Sequence, residues 1–355
     1  MASIASRLAA DCANHGKSTL DAFSLPSPPS INFRDKHKFR EAVDTQATHL
    51  AQIDVQELNR IDISGNILNT DLRLSQKAFG DLCHFSRVPV GFIRQLAAFD
   101  EAQALDVLHT CITSALHQGS PKHMIVDGTS RMVYGIVTAD TYTPVANNDL
   151  LDALASAAPT LDFIRGWLSG PYMRLVVGET STAEAKVGDA VRFGINLENS
   201  IAGDSRTVVA DYIERLRCTN GAVASESNAN HIKHIGDANM LSQQAIVVAA
   251  HRTGLVLPVI QASAQHLMTT NEVDDFASFV KSGRNGGSDA LWSKVARYAL
   301  DEAESDGRPE GELTLWNLVN GITQHAHDTE NVQRKTSLEG MGYAALRAFG
   351  NDLLN

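Results

Sequence analysis

The chain has 355 residues, 43% apolar and 20% charged, a mixture that suits one large or two ordinary globular domains with a sizeable core. Its net charge of −11 excludes a protein that coats duplex DNA by bulk charge, while leaving room for a local basic groove. Aromatic residues are only 6%, so aliphatic side chains must fill the core.

In chain order, residues 1–33 read as a flexible N-terminal arm, polar and then proline-rich through Leu25-Pro-Ser-Pro-Pro-Ser30. Residues 34–235 read as an α+β core and residues 236–355 as a helical region packed on it. Ser75 is a candidate N-cap for a helix with Ala78, Phe79, Leu82 and Cys83 on one face. Pro89 suits the first turn of the next helix, with Phe92, Ile93 and Leu96 apolar. This pair resembles a helix-turn-helix in outline, but Arg94 and Gln95 are its sole base readers, so two core-packing helices are the plainer reading. Met124–Val126 and Met132–Val137 flank Asp127-Gly128 and predict a hairpin. A helix is expected over Asn147–Ala157.

Four strands are then expected at Asp162–Leu168, Tyr172–Val177, Ala190–Leu197 and Thr207–Cys218, punctuated by glycine-bearing turns. Short connections imply antiparallel pairing. From about Ala238 the pattern is helical. Leu315, Trp316, Val319 and Ile322 share one helical face, and Leu338, Met341, Ala345 and Phe349 another. The expected fold is therefore α+β, a central, mainly antiparallel β-sheet with flanking helices and a helical C-terminal part.

Period-two alternation gives the sheet its chemistry. Phe163, Arg165 and Trp167 share a side of their strand. Tyr172 and Arg174 oppose Met173 and Leu175; Arg192 opposes Val191 and Phe193; Arg215 and Arg217 oppose Leu216 and Cys218. Four strands would thus each place an arginine on one non-core face. Guanidinium groups meet phosphates and rings stack on bases without reading sequence, so Arg165, Trp167, Tyr172, Arg174, Arg192, Arg215 and Arg217 are the candidate nucleic-acid-binding residues. The competing reading is an ordinary solvated sheet face, or one whose aromatics a helix covers.

Other chemistry finds little support. Cys12, Cys83, Cys111 and Cys218 form no CxxC pair, which argues against a disulfide framework or a zinc ribbon. Cys218 alternates with Leu216 toward the core and reads as a structural thiol. His231/His234 and His325/His327 lack the spacing of a zinc signature, so neither a metal nor a cofactor is expected. No P-loop, GxSxG, HExxH or dinucleotide-binding fingerprint occurs, so no catalytic residue is assigned. No apolar run is long enough to span a bilayer and no compact leader segment is evident, so the expected setting is the cytoplasm.

Several segments, in order, resemble a phage/plasmid-like family, domain of unknown function 932. They are Leu74–Leu82 with Val88–Leu96; Tyr134-Gly-Ile-Val137, Tyr142-Thr-Pro-Val145 and Asn148–Leu154; Gly188-Asp189 with Phe193–Ser200 and Gly203; Arg215-Leu-Arg-Cys-Thr-Asn-Gly221; and Thr314–Thr323 with Leu338-Glu339. The chain departs from the pattern at Ala146-Asn147 and at Arg217. Gly342–Asn351 is also similar to a helix of single-strand annealing recombinases. The resemblance implies a phage or plasmid setting, hence a host cytoplasm, and nucleic-acid transactions; it carries over no catalytic residue. Together these readings predict a non-catalytic accessory protein that binds single-stranded DNA or RNA in recombination, annealing or replication and forms a homo-oligomer. The alternative is a protein-interaction module, such as an anti-defence inhibitor docking a host protein or a self-assembling scaffold.

Overall fold

A computed structural model describes residues 25–26, 30–46, 48–53, 55–58, 60–119, 121–186, 188–203, 205–216, 220–223, 229–252, 256–282, 287–329, 332–350 and 353. The chain opens with strand β1 (Ser30–Phe33) and helix α1 (Lys36–Thr45), entered through Asp35, whose carboxylate accepts from the backbone N–H groups of His37 and Lys38. A smaller unit follows. It comprises β2 (Thr48–Gln52), α2 (Val55–Leu58), β3 (Arg73–Leu74), α3 (Gln76–Phe85), α4 (Val90–Phe99), α5 (Glu101–Gln118), β4 (Lys122–Asp127) and β5 (Met132–Thr138). Its strands run in the order β2-β4-β5-β3, and only the β3–β5 pair is parallel.

The sequence cues act locally here. Ser75 Oγ accepts from Ala78 N–H at 3.1 Å, and Ala78, Phe79, Leu82 and Cys83 are all buried. Helix α4 packs through Ile93 and Ala97, in a core shared with α3 and α5, so the helix pair is a packing unit. The β4–β5 hairpin turns where Asp127 Oδ1 accepts from the N–H groups of Thr129 and Ser130.

Helix α6 (Asn147–Ala157) leads into the larger sheet, formed by β6 (Leu161–Ser169), β7 (Tyr172–Glu179), β8 (Ala183–Lys186), β9 (Asp189–Ser200), β10 (Thr207–Arg215), β11 (Asn220–Val223) and β12 (Asn230–Ile232). Its path is β1-β6-β7-β9-β10-β11, antiparallel throughout, with β8 on β9 and β12 on β10. Ser30–Phe33, expected within the flexible arm, is therefore an edge strand. Its ladder to β6 is a long-range pairing that a proline-rich flank conceals.

Six helices complete the fold: α7 (Ala238–Arg252), α8 (Leu257–Gln265), α9 (Thr270–Ser282), α10 (Asp289–Ser305), α11 (Leu315–His327) and α12 (Val332–Gly350). The large sheet is covered on both faces. Met173, Leu175, Val177, Ile195 and Leu197 pack with α1, α6 and α7, whereas Trp167, Val176, Ala210 and Tyr212 pack with the apolar faces of α8–α12. This is the α+β fold with a helical C-terminal part that the pattern predicts. Ile125, Tyr134, Val137, Ile201 and Ala202 join the two sheets. No helix among the described residues is long and apolar enough to cross a membrane.

Candidate functional site

The strand register decides which arginines share a face. Trp167 lies opposite Arg174, and a bulge between Phe163 and Arg165 rotates Arg165 onto the same side. Arg174 lies opposite Glu198, and Arg192 opposite Glu214, so Arg165, Trp167, Tyr172, Arg174 and Arg192 do share one face. Arg215 lies opposite Val191 and so faces the other way. Phe163 pairs with Val177 and is also on the opposite face. Arg217 lies outside the described residues.

Around Arg165, Trp167 and Arg174 that face is not open to a ligand, which corrects the expectation for these three residues. Helix α12 covers it and inserts Glu339, 1% exposed. Arg174, fully buried, donates from Nε to Asn196 Oδ1 at 2.8 Å and from Nη2 to Glu339. Arg165 is buried too and donates from Nη2 to the Tyr212 hydroxyl at 2.6 Å and to Glu339 Oε1 at 3.4 Å. Both guanidinium carbons lie over the Trp167 ring, at 5.3 and 5.0 Å from its centroid, so the indole is part of the core and not a base platform. The half-buried Tyr172 donates to Glu198 at 3.0 Å, and Arg192 is paired with Glu214. Burial opposes the charge on Arg174, but Glu339 and Glu198 outweigh it and hold the guanidinium protonated.

Arg215 anchors a second ionic group. Its Nε meets Asp189 Oδ1 at 2.5 Å and its Nη1 meets Glu302 Oε1 of α10 at 2.5 Å. The Trp316 indole N–H of α11 donates to the other Asp189 oxygen at 2.9 Å. Burial pushes the Glu302 carboxyl up to about 7, against the pull of Arg215 and with help from Asp306 and Asp189. Both groups tie C-terminal helices to the sheet. Removing one partner of such a pair costs about 3–5 kcal/mol, because it strands a buried charge.

At the Thr207 end of β10 the buried polar groups are neutral. Asn199 donates from Nδ2 to the Val145 carbonyl at 2.7 Å and to Asn147 Oδ1 at 2.8 Å, and Thr207 Oγ1 donates to Asn199 Oδ1 at 2.7 Å. The Thr207 proton is thereby used, so the contact of Thr207 Oγ1 with His234 Nε2 at 3.3 Å requires the proton on Nε2. The Tyr142 hydroxyl oxygen lies 3.1 Å from His234 Nδ1. The two rings stack at 5.5 Å, and Tyr142 donates to the Ile201 carbonyl. Gly203, at φ 75°, abuts that ring: a Cβ there would sit 2.9 Å from a ring carbon. Burial lowers the His234 pKa to about 4, so the imidazole is neutral at physiological pH.

The network ends at an open cavity of about 670 Å³ lined by Tyr142, Ser205, Arg206, His231, Lys233 and His234, with Gly203, Val208 and Ile235. Its described lining holds no carboxylate. Arg206 and Lys233 are exposed. Ser205 Oγ and His231 Nε2 are buried with no hydrogen-bond partner among the described residues. In the sequence, His231 and His234 stand out only as a histidine pair of the kind that can bind metal, and Arg206 and Lys233 do not stand out at all.

Among the described residues no three His, Cys, Asp or Glu side chains group as metal ligands. His325 and His327 lie on α11, where burial and neighbouring cations lower their pKa values. Cys83 and Cys111 are free, and burial pushes the Cys83 thiol up to about 12, an unreactive state. Cys12 and Cys218 lie outside the described residues. Compared with protein-family models, with curated proteins and with solved structures, the chain matches none.

Proposed function

We propose that this protein binds single-stranded nucleic acid without catalysis, and that the site is the cavity of Arg206, Lys233, His231 and Tyr142 in place of the arginine-bearing sheet face. One observation carries the reading. In a chain of net charge −11, the cavity's described lining is basic and free of carboxylates, with two donor-capable groups left unpaired. Such a local reversal of sign attracts phosphates while the acidic remainder repels duplex DNA. Arg206 and Lys233 meet the phosphates; Ser205 and His231 supply short-range hydrogen bonds. The neutral Asn199–Thr207–His234 network holds the wall in place. The resemblance to a phage/plasmid-like family supports the same class of partner, in recombination, annealing or replication.

Fluorescence anisotropy with a labelled oligonucleotide tests the site. The Arg206→Glu/Lys233→Glu variant should weaken binding at least tenfold and reduce the salt slope by about 0.7 for each phosphate no longer neutralised. Equal affinity and slope for variant and wild type would remove the cavity from consideration.

A second reading, a protein-interaction module, is favoured by helix α7. Met240, Leu241, Val247 and Val248 are all 44–50% exposed on it, while Ser242, Ala245, Ile246 and Ala249 face the core. A helix apolar on both sides is usually covered, and a second copy is the simplest cover for it. Light scattering across a concentration series checks this. Self-association that Leu241→Glu/Val248→Glu abolishes supports it, and a monomer at all concentrations counts against it.

A further inference from the structure

A second cavity, of about 270 Å³, lies between α1, α6 and the face of the large sheet opposite the arginines. Its walls are Leu151, Leu154, Leu161, Phe163, Leu175 and Val177, closed at one side by the Phe39 ring. Phe39 is held by Gly166 of β6, where a Cβ would fall 2.5 Å from the ring, and by Phe163, whose ring centroid is 5.5 Å away. The hollow is thus bounded by packed side chains. No polar side chain belongs to its floor, so water gains little there and an apolar chain gains much.

The mouth has a different chemistry. Lys36, His37 and Arg40 line it, all from the first turns of α1. Arg40 is engaged by Asp44, with Nε 2.9 Å from both carboxylate oxygens, and by Asp152 at 2.6 Å. Asp35 is turned to the backbone N–H groups of His37 and Lys38. Lys36 and His37 are exposed and form no salt bridge among the described residues, so the cationic side of the mouth remains available beside the helix N-terminus.

We propose that this cavity binds a medium-chain aliphatic carboxylate, with the chain among Leu154, Leu161 and Val177 and the carboxylate at Lys36 and His37. A site of this size lies just under the roughly 300–1,000 Å³ usual for small-ligand pockets, which excludes a long-chain lipid. The inference is independent of the nucleic-acid reading, since it uses another face and other residues.

Isothermal titration of the full chain with octanoate tests it. Octanoate should bind saturably and about fourfold tighter for each methylene gained over hexanoate. Octanol should bind at least tenfold more weakly. Ala155, exposed at the mouth, offers a plug outside the core. Ala155→Trp should abolish binding with an unchanged thermal melt, and Lys36→Met should weaken octanoate binding several-fold while leaving octanol alone. Methyl NMR gives a check that needs no variant, with shifts at Leu154, Leu161 and Val177. Absence of saturable binding, octanol binding as tightly as octanoate, or methyl shifts elsewhere would each overturn the proposal.

Discussion

The arginine layer under α12 and the Asn199–Thr207–His234 network beside the cavity are both buried and both polar, but only the first carries charge. In the layer, Arg165 and Arg174 converge on Glu339, and both guanidinium groups are committed to holding a helix against the sheet. In the network, no member is charged at neutral pH, and its end residues, His234 and Tyr142, form the wall of an open space. Arginines on a sheet are therefore a poor guide to a ligand face unless their carboxylate partners are known. A buried neutral network, which needs only hydrogen bonds, leaves neighbouring cations such as Arg206 free to meet solvent.

The sharpest way to break this contrast is to remove the shared counter-charge. Glu339→Gln should destabilise the protein by about 3–5 kcal/mol in urea unfolding, since two buried guanidinium groups are deprived of their partner. A change under about 1 kcal/mol would mean that water reaches the layer.

Titration next separates the His234 network from the Arg215 ionic group, with opposite signs. His234 falls from 6.5 to about 4 on folding, so its contribution is full above pH 6.5 and is lost as pH falls toward 4. Glu302 rises from 4.5 to about 7, so its contribution is full below pH 4.5 and is lost as pH rises toward 7. Each spans on the order of 3 kcal/mol. Unfolding midpoints across this range should show His234→Asn removing the acid-side decline and Glu302→Gln removing the opposing one. Slopes that neither variant alters would contradict both assignments. The smallest expected effect is at Thr207→Val, which leaves Asn199 Oδ1 and His234 Nε2 without their partner. It should cost about 1–2 kcal/mol and leave the Glu302 titration unchanged.

Much of this architecture is legible in the sequence. The strand alternation places Arg174 and Arg192 on one side, and the Ser75 cap, the hairpin and the start of α7 at Ala238 all appear where the pattern puts them. Register is what alternation cannot supply. Arg215 falls on the opposite face because β10 meets β9 at Val191, and Arg165 joins Arg174 only through a bulge. The cover on the face is not visible either, although one trace of it exists. Glu339 stands beside Leu338 in a helix whose buried positions are otherwise apolar, and a carboxylate there calls for a cation from another element. The basic cavity leaves no pattern in the sequence because its residues come from separate connections. Tyr142 precedes α6, Arg206 precedes β10 and Lys233 follows β12, and only the folded chain brings them together.

The edge strand bears on the order of folding. Ser30–Phe33 is made long before β6, its partner in the sheet, while β6, β7, β9 and β10 follow one another through short connections. Loop closure favours the meander first, with β1 arriving as the final, longest-range pairing. Until it docks, the outer edge of β6 presents unpaired backbone groups, so during synthesis this edge is where a neighbouring nascent chain has its best opportunity to exchange strands.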